Sequence, residues 1–216
     1  MRRKGTTTYG GRTGRMGPMR QHALAETVPR LHAEVDAIRR TTADGGRVIV
    51  EIGCGKGDAT VAMAQSTDAD ALVVACEVNV AVIAALAMAV DAMAIDNVRL
   101  WDGDAFALLA EMDPGSIDEV RVWFPDPWPK IRHAPKRLVT SERVAAITNM
   151  LRPRGTLRLA TDDAVYAAQA SAVLGAEPRL RVAIVERPAE RPFTAFEARA
   201  ARDGRAVTDL VAVRVS

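Results

Sequence analysis

At 216 residues the chain is long enough to bury one full core and short for two ordinary domains. Hydrophobic residues at 49% and charged residues at 26% exclude a largely disordered polymer, and no apolar run is long and charge-free enough to span a bilayer. The net charge is only +2, so a polyanion would have to be met by local patches. Two such patches stand out. The first 25 residues contain no acid but carry Arg2, Arg3, Lys4, Arg12, Arg15 and Arg20, and a second basic run holds Lys130, Arg132, His133, Lys136 and Arg137. They suggest a polyanion bound at one face. Cys54 and Cys76 form no CxxC pair and His22, His32 and His133 are scattered, so neither a disulfide framework nor a metal site is expected.

Residues 1–20 lack apolar periodicity, and Gly5, Gly10, Gly11, Gly14 and Gly17 would break the helix that an organellar presequence needs. They read as a flexible basic arm, with one domain over residues 21–216. From 21 to 40, Leu24, Val28, Leu31, Val35 and Ile38 recur at spacings of three and four, predicting a helix that Pro29 kinks or splits. The chain then alternates. Strands are predicted at 47–52, 71–77, 98–101, 117–124 and 156–160, and helices at 58–65, 79–93, 104–112, 141–151 and 162–174. A turn is predicted at Pro153–Gly155. Strands at 181–186 and 207–215 make a terminal antiparallel pair. The rhythm predicts an α/β fold: a mostly parallel seven-stranded sheet with an antiparallel C-terminal strand and helices on both faces.

In such a sheet, ligands bind off the carboxyl ends of the strands. Five of those ends carry a carboxylate: Glu51, Glu77, Asp102 or Asp104, Asp126 and Asp162. After the first strand, Glu51-Ile52-Gly53-Cys54-Gly55-Lys56-Gly57 gives glycines where backbone must turn and let a ligand approach. The dinucleotide pattern G-x-G-x-x-G would need glycine at Asp58, so the spacing is wrong for it. An acid ahead of the loop is also wrong for a pyrophosphate but right for S-adenosylmethionine, whose amino-acid end and sulfonium are cationic. Glu51 suits that end. Glu77 can accept both ribose hydroxyls, and Asp104 the adenine amino hydrogens. Cys54 reads as a residue chosen for size.

Val122 to His133 is the most distinctive stretch. A buried strand runs into Pro125, Pro127 and Pro129, which hold Asp126 on a stiff, extended bend beside Trp128. A carboxylate and an indole on a rigid loop suit a flat, polar ligand.

With these residues in hand, the chain resembles the bacterial tRNA (guanine-N7-)-methyltransferases over nearly its whole length. The likeness rests on Gly11-Arg12-Thr13-Gly14-Arg15-Met16, Glu51-Ile52-Gly53 and Phe124-Pro125-Asp126-Pro127-Trp128-Pro129-Lys130 with the basic residues behind it. It extends to Ala160-Thr161-Asp162, Arg191-Pro192, Thr194-Ala195-Phe196-Glu197 and Asp209-Leu210. The resemblance implies a single-domain, Rossmann-like class I methyltransferase that methylates N7 of a guanine in the variable loop (position 46) of tRNA, using S-adenosylmethionine. It implies cofactor binding at Glu51, Glu77, Asp104 and Asp126, with Gly53, Gly55 and Gly57 as the loop, and substrate binding at Lys130, Asp162 and Thr194 to Glu197. Ala195, Ala200 and Pro135 depart from the family pattern. A cytoplasmic enzyme is implied, monomeric or homodimeric, with tRNA as its partner and no metal.

Guanine N7 has a free lone pair, so the reaction needs alignment and stabilisation of a purine that becomes cationic; Asp126 is the catalytic candidate. Asp162 and Glu197 suit the N1–H and N2–H donors of guanine. Lys130, Arg132, Lys136 and Arg137 suit phosphates. Trp128 and Phe196 fit either core packing or base stacking, Asp162 either a helix cap or a ligand, and Thr194 either the cap of a turn or a ligand. Two other readings compete: methylation of an exocyclic base amine, because Pro-Asp-Pro-Trp loosely resembles the loops of such enzymes, and a non-catalytic RNA-binding subunit.

Overall fold

Short β-branched runs make the strands, and polar turns separate them. The computed structural model describes residues 16–66 and 71–215, in two compact units that meet at Met112 and Asp113 in sequence. The seven strands belong to a mixed sheet, ordered β3-β2-β1 within the first unit and β4-β5-β7-β6 within the second. Among the described residues, no helix is long and apolar enough to cross a membrane.

The first described element is α1 (Pro18–His22), which takes in the last residues of the arm expected over 1–20; its proline occupies the first turn, where a missing N–H costs nothing. A wide π-turn over Ala23–Thr27 and the short α2 (Val28–Arg30) follow, then α3 (Val35–Ala43). The single helix expected over 21–40 is therefore divided, but not at Pro29. Pro29 sits in the first turn of α2, directly after the π-turn, where the ladder is already irregular. The break comes at Leu31–Ala33, because this segment pairs with β3: Leu100 N–H donates to Leu31 O and Ala33 N–H to Leu100 O, both at 2.8 Å. Strand-like pairing wins over the helical stripe there.

β1 (Val48–Ile52), β2 (Leu72–Cys76) and β3 (Val98–Trp101) are parallel, with Val50 opposite Val74 and Ala75 opposite Leu100. The connecting helices are α4 (Asp58–Ser66), α5 (Val80–Ala92) and α6 (Ala105–Leu109). Ile49, Val73, Ala75 and Leu100 pack with Ile83, Leu86 and Val90 of α5 and with Val28 and Leu31 in one buried cluster. Asn79 caps α5, its Oδ1 accepting from Ala81 N–H.

The second unit holds β4 (Ile117–Trp123), a 3-10 turn (Ile131–Lys136), α7 (Ser141–Met150), β5 (Leu151–Thr161), α8 (Ala164–Gly175), β6 (Leu180–Val185), α9 (Ala195–Arg202) and β7 (Thr208–Arg214). β4 and β5 are parallel, and β7 is antiparallel to both β5 and β6. The turn expected at Pro153–Gly155 is absorbed into β5. The register jumps there: Ile117 faces Leu151, yet Glu119 faces Thr156. Arg154 takes φ 68°, and a Cβ on Gly155 would lie 2.8 Å from Arg152 O, so the irregularity needs glycine. The helix α9 has no counterpart among the sequence expectations.

The two faces of this part of the sheet differ. Val120, Val122, Leu157, Leu159, Leu210 and Ala212 share one face and are buried. Glu119, Arg121, Trp123, Arg158 and Asp209 share the other. Arg121 Nε lies 2.5 Å from Glu119 Oε1, and Arg158 reaches Glu190 at 2.7 Å. β4, expected as a buried strand, thus carries a charged face as well as an apolar one.

Candidate active site

The predicted residues divide between the units. In the first, β1 delivers Glu51 into the interior, 2% exposed, where it accepts a hydrogen bond of 2.6 Å from the Thr60 hydroxyl. Thr60 lies in the first turn of α4, so the acid is held by the helix that its own loop starts. Gly53 and Cys54 N–H groups both donate to Cys76 O, at 2.9 and 3.1 Å, which pins the loop to the end of β2. Glu77 follows Cys76 directly, and its carboxylate accepts from Gly55 N–H at 3.2 Å and Asn79 N–H at 2.9 Å. The acid predicted for a ribose thus also shapes the glycine loop; a carboxylate has lone pairs for both.

The three loop glycines do different work. Gly53 and Gly55 have φ of 76° and 58°, and a Cβ on either would meet nothing within 4 Å, so their outer faces are open. Gly57 also has positive φ, but a Cβ there would lie 2.2 Å from Leu86 Cδ1. It was expected to approach a ligand. What its missing Cβ allows is close packing of the loop against α5.

Asp104 caps α6, with Oδ1 accepting from Phe106 N–H at 3.0 Å, while its carbonyl accepts from Trp101 Nε1 at 3.0 Å. The electrostatics draw these acids together. Burial first, then the charges of Glu51, Asp104 and Glu77, drive the Cys76 thiol far above its ordinary range. Burial, Glu51 and Glu77 do the same to Cys54. Both thiols stay protonated and are no nucleophiles, in keeping with Cys54 as a residue of size. Three carboxylates and an open glycine loop fit a ligand that offers ammonium, sulfonium, diol and amino groups, as S-adenosylmethionine does. An open cavity of about 690 Å³ lined by His32, Glu34, Asp36, Arg39, Trp101 and Glu111 contains none of the predicted residues.

In the second unit, Asp126 is exposed at the loop after β4. The bend expected there is flanked by two residues that are not extended. Phe124 and Trp128, each followed by proline, take φ of 50° and 43°, so the loop turns twice through left-handed backbone. Arg137 was expected to meet phosphate. It is 7% exposed and turned inward: Nε donates to Pro127 O at 2.8 Å, Nη2 to Trp128 O at 3.3 Å, and its guanidinium sits 5.6 Å from the Tyr166 ring. It clamps the loop. Lys130, Arg132 and Lys136 are exposed, and Lys136 Nζ lies 4.8 Å over the Trp128 ring, which His133 meets edge-on at 5.5 Å.

Asp163, not Asp162, caps α8, accepting from Tyr166 N–H at 2.8 Å. Asp162 pairs with Arg205. Thr194 is the cap of α9, accepting from Glu197 N–H at 3.3 Å. Ala195 and Phe196 are exposed, and the Phe196 ring stacks on Phe124 at 6.0 Å and 12°. Phe196 is therefore no core residue. Glu197 is 7% exposed, with both oxygens taken: Arg191 Nη1 donates to Oε2 at 2.8 Å, and Arg187 Nε to Oε1 at 2.7 Å. Burial raises its pKa, but the two guanidiniums outweigh burial and hold it below the ordinary range. Asp209, the other partner of Arg191, goes the opposite way, raised by burial. Arg191 and Asp209 were visible only as matches to a family pattern, with no role. Thr60 and Arg187 gave no signal at all.

A mixed seven-stranded sheet with a glycine loop after its first strand is the architecture of Rossmann-like methyltransferases of known structure. The solved 16S rRNA (adenine(1408)-N(1))-methyltransferase of Catenulisporales acidiphilia, determined with its cosubstrate SAM, shares that fold at a TM-score of 0.55 and 18% identity, over 85% of this chain and 92% of that one. Sequence narrows the class. A family model described as "Putative methyltransferase" matches residues 46–210. The tRNA (guanine-N(7)-)-methyltransferase of Nocardioides sp. strain JS614 is 39% identical over 94% of this chain and 85% of its own length. That of Acidovorax sp. strain JS42 is 37% identical over 98% and 87%. The chain belongs to the tRNA (guanine-N7-)-methyltransferase family.

Proposed function

We propose that this chain transfers the methyl group of S-adenosylmethionine to N7 of the guanine at position 46, in the variable loop of tRNA, in the cytoplasm. The observation that carries the reading is the similarity, over nearly the whole chain, to tRNA (guanine-N(7)-)-methyltransferases at 37–39% identity. The site residues support it. Bound S-adenosylmethionine supplies an electrophilic methyl on a cationic sulfur. Glu51 offers a buried negative charge to the cationic amino-acid end, Glu77 an acceptor for ribose hydroxyls, and Asp104 one for the adenine amino group.

N7 attacks with its own lone pair, so no general base is assigned. Holding the reactants in line supplies roughly 7–11 kcal/mol of a bimolecular barrier. Asp126 takes the electrostatic part. A carboxylate about 4 Å from the new positive charge contributes up to ~4 kcal/mol at an effective dielectric near 20. Exposed Phe196 and Ala195 form a surface for the base, with Asp162 as acceptor for its N–H donors. Lys130, Arg132 and Lys136 take phosphates. Glu197, whose oxygens are held by arginines, orders the start of α9.

The test is methylation of tRNA transcripts with labelled cofactor, followed by chemical cleavage at 7-methylguanine. Label should enter the native transcript and vanish when guanine 46 becomes adenine. Equal labelling of both transcripts, or recovery of the label as N6-methyladenine, would overturn the reading.

A further inference from the structure

The second unit buries an arginine that no step of the proposed reaction uses. Arg191 is 2% exposed. Its guanidinium makes a fork to Glu197, with Nη1 to Oε2 at 2.8 Å and Nη2 to Oε1 at 3.1 Å. Nη2 also donates to Asp209 Oδ2 at 3.1 Å, and Nε lies 2.7 Å from Oδ1 in an ion pair without hydrogen-bond alignment. Arg187 closes the cluster, donating to Glu197 and, at 2.5 Å, to the Arg191 carbonyl. Burying a charge between two others does little for stability against an apolar filling, so the arrangement calls for another use.

The faces of the guanidinium indicate that use. Its carbon lies 5.6 Å from the Phe124 ring and 6.0 Å from the Trp123 ring. Trp123 ends β4, and Phe124 leads directly into Pro125 and Asp126. Phe124 holds φ 50°, a conformation that persists only where the surroundings over-determine it. Its N–H donates to Ala160 O at 2.8 Å, and its ring stacks on Phe196, the neighbour of Glu197 in the capped first turn of α9. Arg191 therefore touches the root of the Asp126 loop on one side and the anchor of the exposed aromatic on the other.

We infer that Arg191 is a positioning residue for methyl transfer: forked to Glu197 and Asp209 and laid against Phe124, it fixes the exit of β4 and the Phe124–Phe196 stack at once. The inference rests on the N7-methyltransferase reading. Lysine keeps the charge but lacks the planar fork, so it cannot serve both carboxylates in this geometry.

The experiment compares the parent chain with Arg191→Lys and Asp209→Asn. Active sites are counted by titration with S-adenosylhomocysteine, and kcat is taken per titrated site at saturating tRNA. Misplacement of a reacting group by about 1 Å costs on the order of 100-fold, and that loss in kcat is expected for Arg191→Lys, with KM for S-adenosylmethionine unchanged. Asp209→Asn, which keeps an acceptor, should fall in the same direction by less. A kcat per site equal to the parent's, with only the melting temperature lowered, assigns Arg191 to stability and overturns the inference. So does loss of S-adenosylhomocysteine binding in both variants, since the cluster would then be a requirement of folding. If the parent leaves tRNA unlabelled, the N7 reading fails first and takes this inference with it; a labelled parent with equal variants sinks the inference alone.

Discussion

Asp126 is exposed, yet its backbone has little freedom. Proline follows each of Phe124, Asp126 and Trp128, and the two aromatics hold φ of 50° and 43°. Arg137 grips the carbonyls of Pro127 and Trp128 from beneath. A carboxylate on such a loop keeps its place, which is what electrostatic preorganisation asks. Asp126→Asn keeps size and removes charge. Loss of up to ~4 kcal/mol of transition-state stabilisation corresponds to a fall in kcat of about 10²–10³. Affinity for tRNA should hold, because Lys130, Arg132 and Lys136 are untouched. Single-turnover rates and filter binding check both halves, and near-normal turnover would remove the role from Asp126.

α8 stands behind that loop through Tyr166, which is fully buried. Its hydroxyl accepts from Val139 N–H at 3.2 Å and its ring lies under Arg137. Burial pushes its phenol up to about 12. In the unfolded chain the group titrates near 10, so stability is full below pH ~10 and falls as pH rises toward 12, where only the folded state still holds the proton. A rise from about 10 to about 12 corresponds to about 3 kcal/mol. Tyr166→Phe should lose that alkaline slope while costing about 1–3 kcal/mol at neutral pH, since the buried Val139 N–H loses its acceptor. Urea unfolding at neutral and alkaline pH measures it, and an unaltered slope in the variant would show that another group titrates. Elements of this kind were legible where chemistry is local. The β-branched strands, the glycine loop and the strand-end acids Glu51 and Glu77 follow from neighbouring residues. What was illegible depends on distant partners. Leu31–Ala33 leaves the helix because Leu100 offers a strand, Pro153–Gly155 stays in β5 because β4 allows a register jump, and Arg191 meets Asp209 only after folding. A capping Asp163 and a ligand-binding Asp162 read alike until the backbone chooses between them, and α9 was announced only by Thr194 three residues before Glu197, a capping pattern short enough to pass for a turn.

Across the whole molecule the small net charge of +2 conceals a division of labour. The first unit gathers Glu51, Glu77 and Asp104, whose field reaches Cys76 and suits a cationic donor. The second presents Lys130, Arg132 and Lys136 to solvent, which suits a polyanion. Residues 2–15, which belong to the arm expected over 1–20 and lie outside the described residues, carry five more cations, Arg2, Arg3, Lys4, Arg12 and Arg15. If the arm contacts phosphate, its removal must show in the salt dependence of binding as well as in its strength. Each phosphate contact contributes about 0.7–0.9 to the slope of log affinity against log salt, so deleting residues 2–15 should flatten that slope by up to ~4. The affinity loss should then be large at low salt and small at high salt, while kcat at saturating tRNA changes little because Asp126 and the glycine loop are intact. Fluorescence anisotropy of labelled tRNA over a salt series makes the measurement. A uniform loss at every salt concentration would mean that the arm acts through shape, and an unchanged slope and affinity would leave phosphate recognition to the second basic run alone.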